Sequence, residues 1–266
     1  MLILLPPSET KTRPDGPGAP VLDLAAMALP ALHASRETVL RAARRTAEGA
    51  DAASRLGVPA SSPELVERMA RLDREPVGAP LAVYSGVLYD QLDPTSPLPQ
   101  DRRVLVQSAL FGLVDAARDA IPAYRLSAGS TLSRLGKAGS WWRPRLKPVA
   151  DELRAEQADG GSPLVVDCRS GSYRSMMALR STAEVPVLEV APVQERGGVR
   201  SVVSHDAKRY RGLVARVLLE AGTAPSTPEE ACEVVAEGLA RSGGARGDGL
   251  GVELDGDRLV VVDRVA

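Results

Sequence analysis

Apolar positions fall along this chain in short runs with two different periods. Residues 1–5 (MLILL) are continuously apolar and stopped by Pro6-Pro7, which predicts a buried strand. Residues 103–110 (RVLVQSAL) predict a second buried strand ending at Ser108, with Phe111-Gly112-Leu113-Val114 turning into a loop region. Residues 163–167 (PLVVD) predict a third. Residues 185–193 and 199–204 flank Gly197-Gly198 as a hairpin, and residues 251–262 form another around Asp255-Gly256. Helical spacing takes over elsewhere. Val39, Ala42, Ala43 and Thr46 mark a helix over 35–48. Ser62-Pro63-Glu64 opens another over 62–72, and Leu56-Gly57-Val58-Pro59 connects the two. Residues 35–75 thus read as a helical hairpin insertion. A helix over 137–154 carries Trp141-Trp142 and is confined or kinked by Pro144 and Pro148. Leu213, Val214, Val217 and Leu218 define an amphipathic helix over 207–221, and Thr227-Pro228-Glu229-Glu230 caps one over 227–242. Strands and helices alternate irregularly, which predicts a mixed α/β (α+β) fold in a single domain over 1–266.

Composition narrows the classes. The chain has 266 residues, 44% hydrophobic and 25% charged, which excludes disordered, collagenous and disulfide-scaffold proteins. No apolar run approaches the ~18–20 residues of a membrane helix. Thirty-three Lys and Arg against 34 Asp and Glu give a net charge of -1, so the chain as a whole is not a basic nucleic-acid binder, although a local basic cleft remains open. The start lacks a basic segment ahead of a long apolar stretch, so a cytoplasmic protein without membrane attachment is expected. Two cysteines and two histidines, none at ligand spacing, lead us to expect neither a metal nor a cofactor.

Four groups of residues could carry chemistry. Cys168 and Arg174 are separated by five intervening residues after a strand, the spacing of phosphatase and rhodanese-type loops. A loop entering a helix can aim N–H groups at an oxyanion while a positive field activates the thiol. Asp167 would oppose that activation. The segment reads as a nucleophile loop, an anion loop or a structural turn. Lys208 and Arg211 share a face at the start of an amphipathic helix, where cations oppose the helix dipole unless an anion or an acid compensates. Lys11 follows the first strand and could meet a phosphate. Tyr124-Arg125, with Tyr84, Tyr89 and Trp142, could stack on a base or fill a core.

Ordered blocks along nearly the whole chain resemble the YaaA family of peroxide-stress proteins. They are MLILLPPSETK, Tyr84–Tyr89, Ser108-Ala109-Leu110-Phe111-Gly112, Pro122-Ala123-Tyr124-Arg125-Leu126, Trp142, LVVDCRSGSYRS and Ala207–Leu213. Within that family the chain resembles an actinobacterial-type member. The resemblance implies an α/β fold with a basic cleft and a helix-hairpin-helix-like element. It also implies binding of double-stranded or structured DNA and a role in limiting oxidative damage by lowering free intracellular iron; held by phosphate contacts, such DNA would be bound with little sequence preference. The matching family positions are Lys11, Tyr89, Tyr124, Arg125, Trp142, Ser170, Tyr173, Lys208 and Arg211. Cys168, Arg169 and Arg174 lie outside the family pattern. A nucleotide-like or phosphorylated small molecule in the same cleft is the alternative to DNA. If the protein is an enzyme, Cys168 would be the nucleophile, or a carboxylate such as Asp167 or Asp206 would act as base beside Tyr173 or His205.

Overall fold

The computed structural model describes residues 1–15, 18–203, 206–241 and 250–265. From the N-terminus the elements are β1 (Leu2–Leu5), α1 (His33–Ala47), α2 (Ala52–Leu56), α3 (Glu64–Ala70), β2 (Val77–Gly78), α4 (Pro80–Val83), β3 (Arg103–Ser108) and β4 (Gly112–Asp115). β5 (Ile121–Pro122), β6 (Thr131–Leu132), β7 (Gly136–Lys137), α5 (Ala138–Asp159), β8 (Val165–Asp167) and α6 (Gly171–Met176) follow. The chain then forms β9 (Val187–Arg196), β10 (Val199–Val202), α7 (Ala207–Glu220), α8 (Pro228–Arg241), β11 (Leu250–Asp255) and β12 (Arg258–Arg264).

One mixed sheet organises the fold. Its order is β11-β12-β9-β8-β1-β3-β4, with β10 paired to β9. β1 lies parallel to both β3 and β8, β8 is parallel to β9, and β9 to β12. All four β1 residues are buried, which explains an apolar run without alternation: a central parallel strand has no wet face. The chain leaving β1 reaches β3 on one side, whereas the chain leaving β8 reaches β9 on the other. Connections that diverge in this way leave a crevice beyond the carboxyl ends of the two strands, the usual ligand position in open α/β sheets. No helix among the described residues is long and apolar enough to cross a membrane.

Both expected hairpins form. Gly197 and Gly198 take positive φ between β9 and β10, and Gly256 does so between β11 and β12. Three expectations are corrected. Residues 112–115 are a strand rather than a loop: β4 doubles back on β3, with Gly112 at φ +75 after the turn. Buried Arg36 fastens that turn by donating to the carbonyls of Phe111 (3.1 Å), Leu113 (2.9 Å) and Ala28 (2.6 Å). The helix over 137–154 is not confined by its prolines, because α5 runs on to Asp159. Its buried face of Trp142, Leu146, Val149, Ala150 and Leu153 outweighs a cost of about 3 kcal/mol per interior proline. Finally, the stretch 35–75 holds three helices, since α2 forms a separate turn closed by Gly57 in the left-handed region.

Candidate functional site

The crevice predicted by the strand order is present, with a volume of about 710 Å³. Pro6–Thr10, leaving β1, form one wall, and Ser170, Ser172 and Tyr173, leaving β8, form the facing one. Ser85–Tyr89, Ser127–Gly129 and the first turn of α7 complete the lining. Short hydroxyl side chains dominate its polar surface. The Ser8 hydroxyl donates to the Ser85 carbonyl and accepts from the Thr10 N–H (3.1 Å), so the loop after β1 folds back onto Ser85. Gly86 takes φ +94, and a Cβ there would stand 3.0 Å from the Thr10 hydroxyl, so glycine is what lets the loops meet. The Tyr89 hydroxyl donates to the Pro6 carbonyl (2.7 Å) and fixes the strand exit. The Tyr173 hydroxyl accepts from the Ala128 N–H (3.3 Å) across the crevice.

Positive charge enters from α7. Lys208 and Arg211 both line the crevice, and among the described residues neither has an ion-pair or hydrogen-bond partner. The Arg211 Nε is buried and unpartnered. Burial pulls the Arg211 pKa down and Arg174 pushes the same way, while Cys168, Glu189 and Asp167 oppose the shift. That Nε has given up water without receiving an acceptor in exchange. Two contacts place α7 here. The Tyr210 hydroxyl donates to the Asp263 carboxylate on β12 (2.6 Å), and Gly212 allows the helix backbone to lie against the Leu88 carbonyl.

The other residues singled out from the sequence separate into distinct roles. Ser170, Tyr173, Tyr89, Lys208 and Arg211 come together in the crevice. Arg125 does not: its guanidinium binds the Glu9 carboxylate (3.0 Å), the Glu9 carbonyl (3.0 Å) and the Gly57 carbonyl (2.9 Å). It clamps the β1 loop to the end of α2. Arg174 pairs with Glu189 on β9 (2.7 Å), away from Cys168 and outside the crevice lining. The reason is that α6 begins at Gly171, so Arg174 lies within the helix rather than ahead of it. The Cys168–Arg174 segment is therefore not an oxyanion loop. Cys168 is fully buried, and burial, reinforced by Asp167, pushes its thiol up to about 12. Asp167 is taken up by Arg169, which binds it through Nε (2.9 Å) and Nη2 (2.7 Å). Tyr173 stays protonated, burial having pushed it up to about 12. Trp142 is a core residue that donates to the Ala109 carbonyl (2.8 Å) and covers Gly112. Tyr124 is buried, its hydroxyl bound to those of Tyr84 (2.9 Å) and Ser108 (2.7 Å). His205 lies outside the described residues.

Sequence reasoning passed over Ser8, Thr10, Ser85 and Ser172 and gave Arg169 no role. Ser8, Thr10 and Ser85 carried a usable signal, being small polar residues next to proline and glycine at the end of a central strand. Among the described residues no group of three or more His, Cys, Asp or Glu is placed to hold a metal ion.

Lys11 lies behind the crevice wall. Its Nζ donates to the Ser8 carbonyl (2.6 Å) and stands 4.0 Å from the centre of the Tyr124 ring and 5.1 Å from that of Tyr84. Burial lowers its pKa from 10.5 to about 7, with Arg125 adding to the effect and Glu9 opposing it. The aromatic faces favour the charged form and moderate the drop. Between those two values the unfolded chain holds a proton that the folded protein has partly released, so stability rises with pH by at most about 1.4 kcal/mol per unit. Urea unfolding at pH 7, 8 and 9 should show this rise in the native protein and its loss in Lys11→Met. Parallel pH dependences in the two proteins would contradict the assignment.

Known proteins resemble this chain over most of its length. A family model described as peroxide stress protein YaaA matches residues 1–242. The chain is 37% identical over 264 residues to a UPF0246 protein of Corynebacterium efficiens, covering 97% of each. It is 37% identical over 249 residues to a UPF0246 protein of Streptomyces coelicolor, covering 88% of this chain and 89% of that one. A UPF0246 protein of Cereibacter sphaeroides is 32% identical over 139 residues, 52% of each chain. With matches of this extent, the chain belongs to the YaaA (UPF0246) family.

Proposed function

We propose that the crevice binds a compact phosphate-bearing ligand of nucleotide size, with Lys208 and Arg211 on the phosphate and the hydroxyls of Ser8, Thr10, Ser170 and Ser172 around it. The observation that carries this reading is Arg211: partly enclosed, unpartnered at Nε and facing a cavity of about 710 Å³. That volume lies in the range of small-molecule sites. Tyr173 and Tyr89 supply flat apolar surface beside the cations. The role is binding rather than covalent catalysis by Cys168, whose thiol stays protonated, and Asp167 is unsuited to serve as a base while Arg169 holds it.

Duplex DNA is the second reading, and the charge balance weighs against it. Arg125 and Arg174 are neutralised by Glu9 and Glu189, which leaves Lys208 and Arg211 for phosphates on this face. Two phosphate contacts give a salt slope of only about -2, too shallow for useful duplex affinity at physiological salt. The protein's part in peroxide resistance would then run through the small ligand.

Calorimetric titration with nucleoside mono-, di- and triphosphates and with a short duplex, each at two salt concentrations, tests the reading. Arg211→Ala should weaken nucleotide binding by roughly 10- to 100-fold, the loss of one charge-assisted contact. Duplex binding with a steep salt slope, indifferent to Arg211→Ala, would replace the small-ligand reading with the DNA one.

A further inference from the structure

A second basic cavity, of about 460 Å³, lies between α5 and the segment leaving α6. Arg143, Lys147, Asp151 and Arg154 line it from one face of α5, and Arg180 closes it from the opposite side. Its floor is apolar, made by Pro144, Met177 and Ala178. None of these residues belongs to the crevice.

The electrostatics are those of an incomplete site. Four cations share one carboxylate: Asp151 accepts from Lys147 at 3.2 Å and lies 3.5 Å from Arg154. Arg143 is oriented by donating from Nε to the Ser175 carbonyl (3.0 Å), which leaves its terminal nitrogens for another acceptor. The Arg154 Nε is buried without a partner, and Arg180 is exposed with none among the described residues. Like charges one turn apart on a helix destabilise it by a few tenths of a kcal/mol. A desolvated Nε costs more. Arg143 is held toward Ser175 and Arg154 toward Asp151, so α5 and the segment leaving α6 bring the cations to the rim of one hollow.

We infer that this cavity is a second anion site, separate from the crevice, that takes an organic polyphosphate. The phosphates would lie on Arg143, Lys147, Arg154 and Arg180, and the apolar part of the ligand on Pro144 and Ala178. Positions 143 to 154 span about 16 Å of helix, which spreads the cations along a chain of phosphates rather than around a single one. The mixed lining separates the two sources of such a chain. An organic polyphosphate uses the floor, whereas an inorganic one uses only the rim.

Titration of the full chain with phosphate, tripolyphosphate and ATP tests the site, using Lys147→Ala/Arg180→Ala as the variant. Both residues are exposed, so the variant should fold, and its thermal midpoint is measured alongside. ATP should bind more tightly than tripolyphosphate, and tripolyphosphate more tightly than phosphate. The double variant should lose at least ~10-fold in this binding, as expected for two removed charge contacts. Because ATP would also enter the crevice, the titration is read in the Arg211→Ala background, where the crevice contribution is weakened; binding at this site should persist there, which separates the two sites. Binding unchanged in the double variant, binding abolished by Arg211→Ala, or no binding of any of the three anions at millimolar concentration would each overturn the inference. Tripolyphosphate binding as tightly as ATP would overturn the organic assignment.

Discussion

Replacing Arg169 with alanine should cost about 3–5 kcal/mol of stability, read as a fall in the urea midpoint at constant slope. Arg169 is completely buried and holds four acceptors. It binds both oxygens of Asp167 (2.9 and 2.7 Å), the Met177 carbonyl (2.9 Å) and the Gln107 side-chain oxygen. Its removal leaves the Asp167 carboxylate, itself 2% exposed, without a countercharge in the core. It also releases the loop at both ends, because the Gln107 contact ties it to β3 and the Met177 contact ties it to the end of α6. The wall formed by Ser170 and Tyr173 would loosen with it. A double change, Asp167→Ala with Arg169→Ala, removes both charges and should cost clearly less than the sum of the single changes. Additive losses, or a cost for Arg169→Ala below about 1.5 kcal/mol, would contradict this account.

This pair also marks where the sequence stops being legible. Runs such as MLILL and RVLVQS identify central strands because a strand covered on both faces has no polar positions. The paired glycines at 197–198 identify a hairpin because only glycine takes positive φ there without strain. Local chemistry suffices in both cases. The hairpin of β3 with β4 was hidden because its turn is stabilised from outside, by Arg36 of α1 and by Trp142 of α5. In the same way, the spacing of Cys168 and Arg174 suggested an oxyanion loop, and the structure does not form one. Spacing cannot reveal that Glu189 of a neighbouring strand takes Arg174, or that Glu9 takes Arg125. Lys208 and Arg211 were readable because cations on the first turn of a helix oppose its dipole unless something anionic compensates. Family resemblance grouped the right crevice residues with core residues such as Trp142 and Tyr124, because matching blocks do not distinguish the wall of a site from its support.

The placement of those two cations leads to the second large effect, at Gly212. A Cβ at this position would overlap the Leu88 carbonyl oxygen and lie 2.9 Å from Cγ and 3.0 Å from Cβ of Gln91. The obstacle is backbone and cannot rotate away, so α7 must move. In an exposed helix, alanine in place of glycine would stabilise by about 1 kcal/mol. Here overpacking should reverse the sign, and Gly212→Ala is expected to lose roughly 1–3 kcal/mol. The displacement falls on the helix turn that carries Lys208 and Arg211, so nucleotide affinity in the crevice should fall together with stability. Tyr210→Phe gives a milder comparison, since it removes the tether to Asp263 without adding volume. Thermal unfolding and the crevice titration should therefore rank the native protein above Tyr210→Phe and Tyr210→Phe above Gly212→Ala. A Gly212→Ala protein more stable than the native one, with ligand affinity intact, would mean that α7 does not rest on the 88–91 turn and that Gly212 has no part in holding the cations over the crevice.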